Sequence, residues 1–243
     1  MLASNSIDIM NIFSAIKKNI PNTITCLNLL CGSVACIMAL RFDEQVWWGI
    51  NAYQAAFIMI ALAALFDFFD GLVARLLHVV SAIGKELDSL CDCVSFGLAP
   101  GLLVYAAMSY ANPDSMLCYA ALLIPVLGAV RLANFNVDTR QSSSFIGMPI
   151  PANAIFWIGF ISWYANNTFL NQWFVVALIV VMSLLMVSSI PMFSLKLKNF
   201  NFKENYKVYF LIFAFFLFVF TSHLPGLSWT IIFYVLASAL VKD

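Results

Sequence analysis

The chain has 243 residues, 63% of them hydrophobic and 10% charged, with no formal net charge and a mean hydropathy of +0.93. Those proportions exclude a soluble globular domain and point to an all-α, polytopic membrane protein with no nucleic-acid partner. At about 20 residues per crossing, eight spans take roughly 160 residues and leave only short loops, so a separate soluble domain is excluded as well.

Residues 1–20 come first. Ile7, Met10, Phe13 and Ser14 fall near one helical face, an amphipathic pattern that suits a helix lying on the membrane surface and is equally compatible with a frayed tail. The first long apolar run starts only after Lys17 and Lys18, so no cleaved signal peptide is expected. Apolar stretches then predict spans at 22–41, 51–76, 83–109, 115–137, 150–165, 173–192, 206–222 and 226–241. The last two are joined only by His223, Leu224 and Pro225, and a re-entrant hairpin is the alternative to two crossings. Residues 21–192 thus hold the first six expected spans, and residues 193–243 a loop followed by the C-terminal helices.

Basic residues test this division, because cytoplasmic loops carry the excess of Lys and Arg. Eight spans put Lys17, Lys18, Arg75, Lys85, Arg140, Lys196, Lys198, Lys203, Lys207 and Lys242 on one side and Arg41 alone on the other, with Arg131 inside a span. Both termini are therefore expected in the cytoplasm, as is the tight loop around His78 to Ser81 between spans 2 and 3. Trp47, Trp48, Tyr53, Trp163, Tyr164 and Trp173 fall near span ends, where amphipathic rings favour the headgroup level, and Phe210 to Phe220 reads as a lipid-facing helix. The six cysteines lie in apolar stretches without a C-x-x-C pair or a neighbouring histidine, which fits helix packing better than zinc or redox chemistry. Pro149 and Pro151 open span 5 after a bend at Gly147.

The chemistry concentrates between Asp67 and Asp92. Asp67 and Asp70 are three residues apart and Asp88 and Asp92 four apart, so each pair shares one face of its helix. Four carboxylates in spanning helices are tolerable only against a wet cavity, a cation or one another. All-oxygen donors select a hard divalent cation, Mg2+ or Mn2+ before zinc, and such a cation binds phosphate. Gly71, Ala74 and Gly84 let a ligand approach closely, while Arg75 can hold phosphate oxygens bidentately. Asp92 lies about one turn beyond Asp88, deeper than the loop, where it can take the proton of an attacking alcohol. Helix-capping acids paired with Arg75 are the plainer alternative, but one arginine cannot neutralise four acids in hydrocarbon.

These residues resemble the signature of the CDP-alcohol phosphotransferases, D-x2-D-G-x2-A-R-x8-G-x3-D-x3-D. Every fixed position is matched, by Asp67, Asp70, Gly71, Ala74, Arg75, Gly84, Asp88 and Asp92. The resemblance implies a homodimeric helical fold with a six-helix core, two divalent cations on the four aspartates, Asp92 as base, and transfer of a phosphatidyl group from a CDP-linked lipid to an alcohol with release of CMP. Further stretches look like the membrane-integral phosphatidylserine synthases of that family: Pro21, Asn22, Thr25, Asn28 and Gly32 in span 1, D-C-V-S-F-G-L-A-P from Asp92, R-L-A-N-F-N from Arg131, F-I-G-M-P-I-P from Phe145 and S-S-I-P from Ser188. CDP-diacylglycerol and L-serine are the substrates so implied, with Thr25 and Asn28 joining Gly71, Ala74, Arg75 and Gly84 around the donor.

Serine needs a counter-charge for its carboxylate close to Asp92, and Arg131, inside a span, is the candidate. Ser95 and Asn136 are candidates to line the same pocket, or to bond neighbouring helices. Asn134 stands where a second basic residue is expected. The alternatives are another acceptor bearing a phosphate, which calls for more basic residues than Arg131, a CDP-archaeol donor, and a cation transporter, which calls for acids spread along several spans.

Overall fold

The computed structural model describes residues 2–79, 82–138, 145–167, 170–193 and 202–240. The side chains of the amphipathic segment up to Lys18, and Arg140, Lys196, Lys198, Lys203 and Lys242, lie outside the described ones.

Helix α1, Leu2–Leu40, joins the N-terminal segment to the first span without a break, although Pro21 lies within it. A three-residue turn of 3-10 helix at Trp47–Gly49 leads to α2, Ala52–Leu76, whose start is secured by a capping box between Asn51 and Gln54. α2 returns along α1 and ends in a hydrogen-bonded reversal: His78 N–H donates to Arg75 O at 3.2 Å and Val79 N–H to Ala74 O at 3.0 Å, with His78 in the left-handed region at φ 53°. The third crossing is composite. α3, Ala82–Asp92, passes into a π-helical turn at Cys93–Leu98 and then into α4, Ala99–Ala111.

A 3-10 stretch at Met116–Leu122 precedes α5, Leu123–Val137, and α6, Ile150–Tyr164, and α7, Gln172–Val187, follow. The seventh helix stops at Val187, short of the expected 192, because Pro191 disfavours helix at the residue before it. The chain there forms a short strand instead: β2, Pro191–Met192, pairs antiparallel with β1, Phe145–Ile146, before α6. Between β1 and α6, Gly147 adopts φ +75°, and a Cβ there would strike the Met186 carbonyl. α8, Phe202–Ser222, and α9, Gly226–Leu240, form an antiparallel pair, with α9 packed on α6.

Among the described residues five helical stretches are long and apolar enough to cross a membrane: Asn19–Leu40, Ala52–Leu76, Ile83–Ala111, Met116–Val137 and Asn205–Ser222. Gln172–Val187 and Gly226–Leu240 are apolar but shorter. The protein is an all-α, multi-pass membrane bundle.

Its core runs through Phe96, Leu103, Ile124, Trp157 and Ile179, all nearly inaccessible. Phe210, Phe213, Phe216 and Phe220 are exposed on α8, as a lipid-facing helix requires. Trp47, Trp163 and Trp173 are exposed near helix ends, whereas Tyr53 and Tyr164 are buried. Tyr53 stacks on Phe42 at 5.1 Å, so aromatic packing, not headgroup contact, holds that ring.

Candidate active site

α2 carries Asp67 and Asp70 on its last turns, and α3 carries Asp88 and Asp92 on the way back. The reversal at His78 brings the two faces together: Asp67, Asp70 and Asp88 each offer a carboxylate oxygen, and these oxygens lie within 4.8 Å of one another. Asp92 stands outside that trio, but Asp67 reaches both Asp88 and Asp92. α1 supplies the outer contacts. Thr25 Oγ1 donates to Asp70 Oδ2 at 2.6 Å, and Asn28 Nδ2 donates to Asp92 Oδ1 at 3.4 Å.

The trio suits a divalent cation on two counts. Its donors are all oxygen, and no described basic residue forms an ion pair with it, the ion pair among the described residues being Arg41 with Glu44, far along the chain. Asp88 Oδ1 is also buried without a hydrogen-bond partner, which is costly unless a cation takes it.

A cavity of about 570 Å³ opens beside the trio, lined by Thr25, Asp70, Gly71, Ala74, Arg75, Gly84 and Asp88 from the expected set. Gly71 borders open space where a Cβ would project. Arg75 is exposed at the end of α2, where its Nε donates to Gly71 O at 2.9 Å and its side chain lines the cavity. Pro21, Asn22, His78 and Lys85 line the same cavity; from the sequence Pro21 and Asn22 entered only through the resemblance in span 1, and His78 and Lys85 only through the loop and its charge. A readable signal existed for Lys85: it follows Gly84 inside the signature and is a cation beside a phosphate-suited arginine.

Immediately after Asp92 the helix widens. Ala99 N–H donates to Val94 O, five residues back, and the turn is held against α1 by Ser95 Oγ donating to Asn28 O at 3.1 Å. Gly32 faces Ser95 so closely that a Cβ at Gly32 would lie 2.8 Å from Ser95 Cα. Ser95 is thus buried in a helix contact. Asn136 likewise bridges helices, its Nδ2 donating to Ser89 Oγ at 2.9 Å and its carbonyl accepting from Lys85 Nζ at 3.0 Å.

Arg131 on α5 is 8% exposed, with its guanidinium 5.0 Å from the centre of the Phe135 ring. It interacts electrostatically with Asp92 and Tyr234 and lines a second, more polar cavity of about 520 Å³ with Asn134, Asp138, Ser188 and Ser189.

The model of the CDP-alcohol phosphatidyltransferase family matches residues 18–185, which include the whole aspartate cluster, both α1 contacts and Arg131. The chain belongs to that family. Proteins named CDP-diacylglycerol–serine O-phosphatidyltransferase are among its relatives. The one from Helicobacter pylori is 32% identical over 214 residues, 86% of this chain and 84% of the relative. The Bacillus subtilis protein is 40% identical over 133 residues, 54% of this chain and 69% of the relative. The Mycobacterium leprae protein is 35% identical over 183 residues, 71% of this chain, and the match spans only 57% of that longer relative.

Proposed function

We propose that the protein transfers the phosphatidyl group of CDP-diacylglycerol to L-serine. Oxygen of the serine hydroxyl bonds to the phosphatidyl phosphorus, the bond from that phosphorus to the oxygen of CMP breaks, CMP departs, and the hydroxyl proton passes to Asp92. Two divalent cations, Mg2+ or Mn2+, held by Asp67, Asp70 and Asp88 with Asp92 adjoining, would neutralise charge on the diphosphate. Asp92, outside the close trio yet touching Asp67, is the carboxylate best placed to keep an oxygen for a proton. Arg75 and Lys85 present cations to the diphosphate in the larger cavity, Gly71, Ala74 and Gly84 admit it closely, and Thr25 and Asn28 orient Asp70 and Asp92.

The observation that carries the choice of acceptor is Arg131. A guanidinium buried this deeply needs an anionic or strongly accepting partner, and no described residue forms a salt bridge with it. A serine carboxylate fills that place, with the serine hydroxyl directed toward Asp92. Ser95 and Asn136, engaged in helix contacts, have a supporting part in this reading. A phosphate-bearing acceptor would call for further cations in this cavity, where Asn134 and Asp138 stand instead.

The test is release of CMP from CDP-diacylglycerol by purified protein, with serine, glycerol 3-phosphate and inositol 1-phosphate offered separately. Serine alone is expected to support it, and preference for a phosphate-bearing acceptor overturns the reading. The same proposal places residues 21–192 as the catalytic core of a homodimer, with the site and both termini cytoplasmic. Cysteines introduced near residues 80 and 200 of a cysteine-free variant should then react only with reagent applied from the cytoplasmic side; reaction from outside reverses the orientation.

A further inference from the structure

Part of the wall of the Arg131 cavity is built by residues that the family model does not reach. That match ends at residue 185, whereas Met186, Val187, Ser188 and Ser189 line the cavity together with Arg131, joined by Ile146 from β1. This wall leaves the end of α7 in an extended course. Gly147 N–H donates to Ile190 O at 2.9 Å and Met148 N–H to Leu185 O at 3.0 Å, and β1 and β2 pair directly. A two-residue pairing is too short to fix its own geometry, so something behind it must hold it.

α9 does this. It is anchored on α6, where Gly159 leaves room for Ser228 and Ser228 Oγ donates to Phe156 O at 2.7 Å. From that base Tyr234, 3% exposed, donates its hydroxyl to Phe193 O at 3.0 Å and sets its ring against the Phe193 ring at 4.9 Å, nearly perpendicular. Phe193 directly follows β2. The Tyr234 hydroxyl also lies close enough to Arg131 to interact with it electrostatically. One side chain therefore ties the C-terminal hairpin both to the strand backing the cavity and to the surroundings of its buried cation.

We infer that Tyr234 is a positioning residue for the acceptor: by clamping Phe193 it holds the β1–β2 wall at the distance from Arg131 that the acceptor amino acid requires. The inference rests on the proposed role of Arg131. It makes α9 part of the acceptor site although α9 lies outside the matched family region.

Tyr234→Phe keeps the ring and removes the hydroxyl, and with it the hydrogen bond donated to Phe193 O and the polar contact near Arg131. It is expected to raise the serine KM about threefold to tenfold, the scale of one neutral hydrogen bond, with kcat, the KM for CDP-diacylglycerol and the metal requirement unchanged. Phe193→Leu removes the ring contact and keeps the carbonyl, and should shift the same constant in the same direction. A wild-type serine KM in Tyr234→Phe refutes the inference, as does an equal loss in donor and acceptor constants. If Tyr234→Phe does not fold, an unchanged serine KM in Phe193→Leu refutes it instead. Absence of serine-dependent CMP release from the unmodified protein is a different result and refutes the acceptor assignment itself.

Discussion

Replacing Arg131 by lysine isolates geometry from charge. The side chain is 8% exposed and faces the 520 Å³ cavity, so the ammonium of the variant would sit in the same low-dielectric surroundings, more strongly hydrated and harder to bury than a guanidinium. It also loses the planar fork. A carboxylate held by two parallel N–H groups would keep one, and one charged hydrogen bond contributes about 1.5–3 kcal/mol. That range corresponds to a rise in serine KM of roughly tenfold to a hundredfold. Initial rates of CMP release against serine concentration give the constant, and equilibrium binding of CDP-diacylglycerol on the same variant should be unaltered. Ethanolamine, which lacks the carboxylate, should be a poor acceptor for the unmodified protein. Collapse of donor binding with an unchanged serine KM would refute the assignment and move Arg131 to the diphosphate.

Asp92→Asn should abolish transfer while the folded protein still binds CDP-diacylglycerol with metal, because Asp92 lies outside the close carboxylate trio; a variant with full turnover excludes it as base. Thr25→Val removes the hydroxyl donated to Asp70 at 2.6 Å and should raise the metal concentration for half-maximal activity about tenfold, so an unshifted metal titration would count against the contact. Chelation with EDTA should stop the reaction and Mg2+ or Mn2+ restore it, whereas restoration by zinc alone contradicts an all-oxygen site. Gly32→Ala drives a methyl toward Ser95 Cα, 2.8 Å from the Cβ position, and should cost about 1–3 kcal/mol, read as a lower Tm together with a lower kcat. Ser95→Ala should not rescue it, since the backbone atom remains; an unchanged Tm in the single variant shows that α1 yields freely.

Much of this architecture was legible because hydrocarbon restricts the alternatives. Apolar runs located the crossings, and the acids, expensive in such surroundings, announced their own clustering at the α2–α3 turn. Spacing put Asp67 with Asp70 and Asp88 with Asp92 on shared helix faces; the trio of Asp67, Asp70 and Asp88, with Asp92 outside it, is a result of the structure. What stayed hidden depends on backbone detail that composition does not encode. Ser95 was a candidate either for the pocket or for a bond to a neighbouring helix, and in the widened turn after Asp92 its hydroxyl donates to Asn28 O. A partial sign was present in Pro100, which has no N–H for an ordinary helical bond to the Phe96 carbonyl. The early stop of α7 at Val187 follows from Pro191, but its pairing with β1 depends on a contact distant in sequence. Lys85 and His78 were given no part in the site because an exposed basic residue at a loop is explained by topology alone.

The widened turn at Cys93–Leu98 also divides the third crossing into two registers. On the side of Asp92 the helix is indexed to the aspartates of α2; on the other, Gly101 is indexed to Pro125 of α5. One residue more than an α-helix needs is accommodated between them, and each residue of helix is worth about 100° of rotation. Deleting a single residue there would turn Asp88 and Asp92 by that angle relative to the packed half, so the chain length of this turn acts as an alignment setting for the carboxylates that directly precede it.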